Sequence, residues 1–350
     1  MQDVLIAGGG PAGLSAAIFA AQAGLQATII EPRPGRIDKA CGEGLMPGAV
    51  ASLAEMGVRP ARSHPFQGIR YIDGEQEALG DFPQGPGQGV RRTVLHDALR
   101  GRAEDLGVQW HRGRVGEIVQ DDDHVRAGAL EGRWLLAADG LHSSIRKRMG
   151  LERPARRAPR MGLRRHFAMR PWSPYVEVYW SDDAEAYVTP VAEDLIGVAI
   201  LFPGDPLPPG KGTQKRFEAL LERFPRLKER LTGTPATAVR GSGPFERRVA
   251  RRVAGRVLLI GDAAGYLDPI TGEGVRLGMA SARAAVDCIR LDQPMRYEHA
   301  WQKLTRRYWW MTSGLLWLRD RPGLRRLMVP FLQRFPIAFS QIVGALAEER

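Results

Sequence analysis

Residues 8–13 of this 350-residue chain read Gly8-Gly9-Gly10-Pro11-Ala12-Gly13, a G-x-G-x-x-G run between an apolar stretch, Val4–Ala7, and an alanine-rich one, Leu14–Ala23. A strand that turns on glycines into a helix is the start of a Rossmann-type α/β unit. Gly8 permits the tight turn, Gly10 lets backbone approach a pyrophosphate, and Gly13 allows close helix–strand packing. The helix that opens at Pro11 and Ala12 points its amide N–H groups and positive dipole end at phosphates. Gly24 ends this helix as a C-terminal glycine, and a second apolar run, Ala27–Ile30, completes a βαβ-type beginning.

Glu31 ends the second run, 18 positions beyond Gly13. A carboxylate there accepts hydrogen bonds from adenosine ribose hydroxyls and repels a 2′-phosphate, which favours FAD or NAD over NADP. A second element, Ala137-Ala138-Asp139-Gly140 with Ser143 and Arg146, places an acid and a glycine at the end of an apolar strand, where a turn packs beside nucleotide phosphates. The third element is Leu259-Ile260-Gly261-Asp262-Ala263-Ala264-Gly265, continuing to Pro269-Ile270-Thr271-Gly272-Glu273-Gly274-Val275. Its strand delivers Asp262 to an edge where ribityl hydroxyls can be bound, and Gly272 and Gly274 clear side chains from the path of a ring. The helix near Val275 offers its positive end to the side of a flavin where charge gathers on reduction.

The three elements, in this order and spacing, resemble the FAD-dependent superfamily of p-hydroxybenzoate hydroxylase, the geranylgeranyl reductases and the flavin-dependent halogenases. The resemblance covers about residues 3–290 and implies further positions. Arg92, in Arg92-Thr93-Val94-Leu95-His96-Asp97, matches an arginine that opens a helix beside the flavin, and Val115 matches a strand position near the adenine. Cys41-Gly42-Glu43-Gly44-Leu45 resembles the Cys-Gly segment that geranylgeranyl reductases place beside the flavin, which makes Cys41 the candidate catalytic residue. The halogenase signature Trp-x-Trp-x-Ile-Pro is absent. The reductases' Tyr-x-Trp-x-Phe-Pro segment has a degenerate counterpart in Tyr187-Val188-Thr189-Pro190. A second G-x-G-x-x-G is missing, so NADH or NADPH is expected as a transient donor, or a protein supplies the electrons.

Helices are predicted at Met46–Met56, Thr93–Leu106 and Thr213–Arg223. Strands are predicted near Gly68–Ile72, Glu77–Phe82, Val108–His111, Val115–Val119, Trp134–Ala138 and Val257–Ile260. Gly85–Gly89 reads as a loop and Pro203–Gly212 as a linker. Tyr175–Trp180, Ala186–Val191 and Leu195–Phe202 read as antiparallel sheet, and the chain is mostly helical from Gly274 onward. The expected architecture is a glutathione-reductase-like FAD-binding domain (1–63, 90–155 and 255–292) with an inserted antiparallel-sheet substrate domain (64–89 and 156–254). A helical C-terminus (293–350) completes it.

The balance of 44% hydrophobic and 25% charged residues argues against disorder. Cys41 and Cys288 cannot build a disulfide framework, and no Cys/His cluster suits zinc, a usage that fits a reducing cytoplasm. The first strand starts at once with no basic flank, so no signal peptide is expected. A net charge of +11 attracts anions, but no nucleic-acid motif accompanies it. Cys288 is expected in the core, and His96 and His142 in structural roles. The aromatic and arginine-bearing segments Tyr308–Leu318 and Leu324–Phe339 read as a helical cap over a hydrophobic substrate, with peripheral membrane contact as the sharper alternative.

Two enzyme readings compete. In one, NAD(P)H reduces FAD, dioxygen is activated, and an apolar or aromatic small molecule is hydroxylated or epoxidised. In the other, reduced FAD saturates a carbon–carbon double bond of a prenyl or lipid substrate. The incomplete tryptophan signature makes the monooxygenase the leading reading, and the Cys-Gly-Glu-Gly segment pulls toward the reductase as the alternative. A non-catalytic flavin-binding protein is the reading from another class.

Overall fold

The apolar opening run becomes the middle of a parallel sheet. The strand Gln2–Ala7 is flanked by Ala27–Ile30 and by Leu130–Ala137. Val257–Leu259 and Gln109–His111 extend the sheet on its two sides, and Val253–Ala254 adds an antiparallel edge. Val4, Leu5, Ile6, Leu135 and Leu258 are fully buried, as expected of parallel strands covered on both faces. This computed structural model describes residues 1–205 and 212–347.

Ten helices are present among the described residues. Helices α1 (Pro11–Gln22), α2 (Pro47–Glu55), α3 (Arg92–Asp105) and α4 (Ser144–Arg148) belong with the parallel sheet. Helices α5 (Thr213–Leu221) and α6 (Pro225–Arg230) cover the second sheet. Then come α7 (Gly274–Arg290), α8 (Arg296–Arg319), α9 (Pro322–Arg334) and α10 (Pro336–Ala347). Ala12 of α1 packs against two glycines, Gly278 of α7 and Gly261 of the turn after Val257–Leu259. A Cβ at Gly261 would lie 2.8 Å from the Ala12 Cβ, and one at Gly278 would lie 3.4 Å away.

The second sheet is antiparallel over Arg160–Ala168, Leu195–Pro203, Glu185–Ala192 and Val176–Trp180. Gly68–Asp73 then joins Val176–Trp180 in parallel, and Gln76–Asp81 forms the edge. One face packs on Phe217, Leu220, Phe224 and Leu227 of α5, α6 and the turn between them. On the other face, Val176, Val178, Trp180 and Leu201 share a core with Leu316, Val329, Phe339 and Val343 of the last three helices. A buried ionic cluster fixes this arrangement. Arg160 donates to Asp268 (2.9 Å) and Glu185 (2.7 Å), and Arg319 of α8 donates to Glu185 (2.6 Å).

Two expectations need correction. Gly87–Gly89 is a strand between Gly44–Leu45 and His64–Phe66, not a loop. Its glycines serve close approach: a Cβ at Gly89 would lie 1.7 Å from the Pro190 carbonyl oxygen. The strand expected over Val115–Val119 is Ile118–Gln120, paired in a hairpin with Val125–Ala127 that the sequence reading missed. The stretch Leu324–Phe339 is helical as expected and divides between α9 and α10 at Phe335, because Pro336 opens α10. Residues 206–211 of the expected linker lie outside the described residues.

Candidate active site

The glycine turn is sterically closed. At Gly8 (φ +108°) a Cβ would lie 2.6 Å from the Ala138 carbonyl oxygen, and at Gly13 a Cβ would meet the Gly8 carbonyl oxygen at 1.9 Å. Gly10 instead faces open space, and with Pro11 and Ala12 it lines one end of a cavity of about 900 Å³. The amides of the first helical turn, including those of Ala12 and Gly13, have no acceptor within α1. Gly272, Gly274 and Val275 line the same cavity, and the side chain of Glu273 does not cap the α7 amides. Two positive helix ends thus converge on one space.

Arg92 opens α3 and lines this cavity, and its Nε is buried without a partner. The Asp262 carboxylate also faces the cavity and accepts no hydrogen bond from the described residues. Burial pushes its pKa up, against the pull of Lys39, Arg92 and Arg146.

Glu31 lies behind the turn. One carboxylate oxygen accepts from the Gly9 N–H (2.8 Å) and Arg33 Nη2 (2.9 Å), the other from the Arg33 N–H (3.0 Å) and Nε (2.7 Å). Burial raises its pKa, but these bonds and the Arg33 charge outweigh that and hold the group below the usual carboxylate range. Arg33, unread in the sequence, therefore belongs to this end of the site.

Asp139 and Val115 are off the cavity wall. Asp139 accepts from the Ile145 N–H (3.1 Å), and Ser143 Oγ accepts from the Arg146 N–H (2.9 Å), which together start α4. The buried Arg146 guanidinium then donates to the carbonyls of Leu141 (2.9 Å) and Ala263 (3.2 Å). The second sequence element thus braces the turn that carries Asp262. Val115 lies in the loop before Ile118–Gln120, where its carbonyl accepts from Arg148 (3.4 Å).

Cys41, Gly42 and Gly44 line the cavity between the flavin-type cradle and an apolar chamber. Their anchor is Glu43, a buried residue at φ +61°, where a non-glycine backbone costs about 1–2 kcal/mol. Its carboxylate accepts from the Arg92 N–H at 2.8 Å and from His166 Nε2 at 2.6 Å, with Arg164 Nη2 at 3.8 Å. Arg164 Nη1 is 3.2 Å from His166 Nδ1, and Thr237 Oγ1 is 3.0 Å from it. A guanidinium can only donate, so Nδ1 accepts and the proton sits on Nε2, aimed at Glu43. Arg164 also pairs with Asp38.

The chamber's apolar wall includes Phe66, Val176, Val178, Leu201 and Leu346. Two phenols, Tyr71 and Tyr266, face it with hydroxyls that have no hydrogen-bond partner among the described residues. Burial, with the charges of Tyr308, Asp262, Asp268 and Cys41, pushes Tyr266 well up, so it stays protonated. Gly274 leaves room for it, since a Cβ there would lie 3.1 Å from the hydroxyl. His96 braces Gly9 through its carbonyl (3.1 Å), and Cys288 is buried on α7, as their structural readings expect. His142 lies on the cavity wall, 3.2 Å from Arg247.

The FAD-binding domain family matches residues 1–289. The chain belongs to that family. A menaquinone reductase of Mycobacterium tuberculosis is 28% identical over 82% of this chain and 76% of its own length. A chloroplastic geranylgeranyl diphosphate reductase of Oryza sativa is 30% identical over 82% and 66%. A para-nitrophenol 4-monooxygenase of a Pseudomonas strain is 27% identical over 83% and 78%. The fold matches that of the flavin-dependent halogenase CmlS, with a TM-score of 0.80 and 19% identity over 100% of this chain and 73% of that one. The chain is an FAD-dependent oxidoreductase. The cavity suits that cofactor: the unpaired amides that start α1 suit a pyrophosphate, those that start α7 and an unpartnered guanidinium nitrogen suit the polar edge of a ring, and a carboxylate without donors suits hydroxyls.

Proposed function

We propose that this flavoprotein reduces a carbon–carbon double bond in a long apolar, isoprenoid-type substrate, with NADH, NADPH or a reduced protein as electron donor. The observation that carries this reading is one continuous cavity. It runs from Gly10–Ala12 and Gly272–Val275 into a chamber walled by Phe66, Val176, Val178 and Leu201, with the Cys41 segment at the junction. The reductases among the relatives point the same way.

In this reading the amides of Ala12 and Gly13, with Gly8 and Gly10 clearing the path, hold the pyrophosphate, and Glu31 with Arg33 holds the adenosine end. Val115 flanks the adenine side, and Asp139 acts through Arg146. Asp262 binds ribityl hydroxyls, while Arg92, Gly272, Gly274 and Val275 frame the ring. When bound and reduced by two electrons from that donor, the flavin would supply a hydride to one carbon of the double bond. The other carbon takes a proton from a cavity acid, and Tyr266 and Cys41 are the groups placed to give it. The apolar wall excludes water from that carbon.

The test is anaerobic turnover of a polyprenyl substrate with NAD(P)H or dithionite. We expect saturated product without oxygen, and a Tyr266→Phe enzyme about 10²-fold slower with its flavin retained. The second reading is monooxygenation, favoured by the likeness to the para-nitrophenol enzyme and by the incomplete tryptophan signature. Strict oxygen dependence, with oxygen in the product, would establish it and remove the reductase.

A further inference from the structure

The last three helices have two different faces. Their inner faces pack into the core beside the substrate chamber, through Leu316, Val329 and Phe339, and Leu346 lines the chamber itself. Their outer faces leave large apolar side chains in water: Trp310 is 77% exposed, Ile337 76%, Leu327 63% and Phe331 59%. Burial of such groups is the dominant favourable force in folding and association, so a concentration of them on one surface calls for an occupant.

Spacing gathers them. Arg306, Trp310 and Trp317 recur at i, i+4 and i+11 on α8, and Arg321 stacks its guanidinium 3.9 Å over the Trp317 ring. Leu324, Leu327 and Phe331 recur at i, i+3 and i+7 on α9, and Phe335 follows with its ring 4.9 Å from that of Phe331. Between α8 and α10 lies an open groove of about 680 Å³, lined by Arg306, Arg307, Trp310 and Ile342.

Charge identifies what covers this surface. Residues 301–347 hold eight Lys or Arg against one acid, Asp320. Arg319 and Arg325 turn inward to Glu185, Asp73 and Asp182, whereas Arg306, Arg321 and Arg334 make no ion pair among the described residues. A strongly cationic rim is a poor match for a second copy of a chain that itself carries +11. It matches an anionic lipid surface, with aromatic rings at the headgroup level and arginines on phosphates. No described helix is long and apolar enough to cross a membrane, so the contact is one of lying on the surface.

We infer that helices α8–α10 dock the protein on an anionic bilayer surface. The chamber behind their inner faces is thereby brought beside the lipid phase, whichever reaction it runs. The test is sedimentation of the full FAD-loaded chain with phosphatidylcholine vesicles, with or without about 30 mol% phosphatidylglycerol, at low and high salt. Binding is expected with the anionic vesicles and lost at high salt. Arg306→Gln/Arg334→Gln is expected to weaken it about 25-fold, at about fivefold per cation. Trp310→Ser/Phe331→Ser should weaken it at least about tenfold. All these positions are on the surface, and a retained flavin band reports the fold of each variant. Equal binding to both vesicle types, absence of binding to either, or self-association that Phe331→Ser abolishes would overturn the inference. The wild-type lipid and salt arms decide even where a variant fails to fold.

Discussion

His166→Ala strikes the anchor of the Cys41–Gly44 segment while leaving the segment's own sequence intact. His166 is fully buried, and its Nε2–H is the donor to one Glu43 oxygen at 2.6 Å. Without it that oxygen has no donor among the described residues, since Arg164 at 3.8 Å and the Arg92 N–H face the other one. A hydrogen bond to a charged acceptor contributes about 1.5–3 kcal/mol, so about 2–3 kcal/mol is expected. Glu43→Ala should cost a similar amount, because it strips the acceptor from the Arg92 N–H and releases a left-handed backbone held by its side-chain bonds. The assay is a double-mutant cycle by urea unfolding at saturating FAD, with the flavin band recorded for each variant. The two effects should overlap, with a coupling of about 2 kcal/mol. Costs that add to within about 0.5 kcal/mol would refute the linkage.

Gly13→Ala forces a methyl to within 1.9 Å of the Gly8 carbonyl oxygen, so the variant should be recovered without flavin or not folded, and a normally yellow product would contradict the packing. Asp268 sets a pH dependence. Burial lifts it from 3.8 to about 6, against the pull of Arg160 and with the push of Glu185. Because the folded value is the higher one, its contribution is full below the unfolded value and is lost as pH rises through about 6. Relative to Asp268→Asn, the wild type should therefore lose about 2 kcal/mol between about pH 4 and about pH 7, and a flat difference in urea unfolding would count against this. Arg146→Met removes the brace of the Asp262 turn, and we expect weaker FAD retention, read by flavin fluorescence on dilution, with destabilisation of about 3–5 kcal/mol.

The cofactor end was legible because its logic is local. A strand, a glycine turn and a helix carry their own steric reasons within residues 4–24, and the same holds from Leu259 to Val275. Periodicity likewise located α3, and β-rich composition located the strands over Val176–Trp180, Glu185–Ala192 and Leu195–Pro203. What escaped depends on tertiary approach. Glu43, His166, Arg164 and Thr237 come from distant parts of the chain and meet because one edge of the second sheet packs on the Cys41 segment. Tyr266 follows a readable motif, but its role as a protonated group needs the burial that α7 and α8 create. Gly87–Gly89 read as a loop because glycine signals a turn in sequence, whereas here it admits the Pro190 carbonyl. The hairpin at Ile118–Ala127 has strands of three residues, too short for any period to register.

The central claim is that the two helix starts at Pro11 and Gly274, with Arg92 and Asp262 between them, grip a single FAD. Titrating flavin-stripped protein with FAD while following absorbance and fluorescence tests it most directly. We predict saturation at one FAD per chain, with binding weakened by Asp262→Ala and by Arg92→Ala. A protein that leaves the flavin spectrum unchanged at every ratio would contradict it.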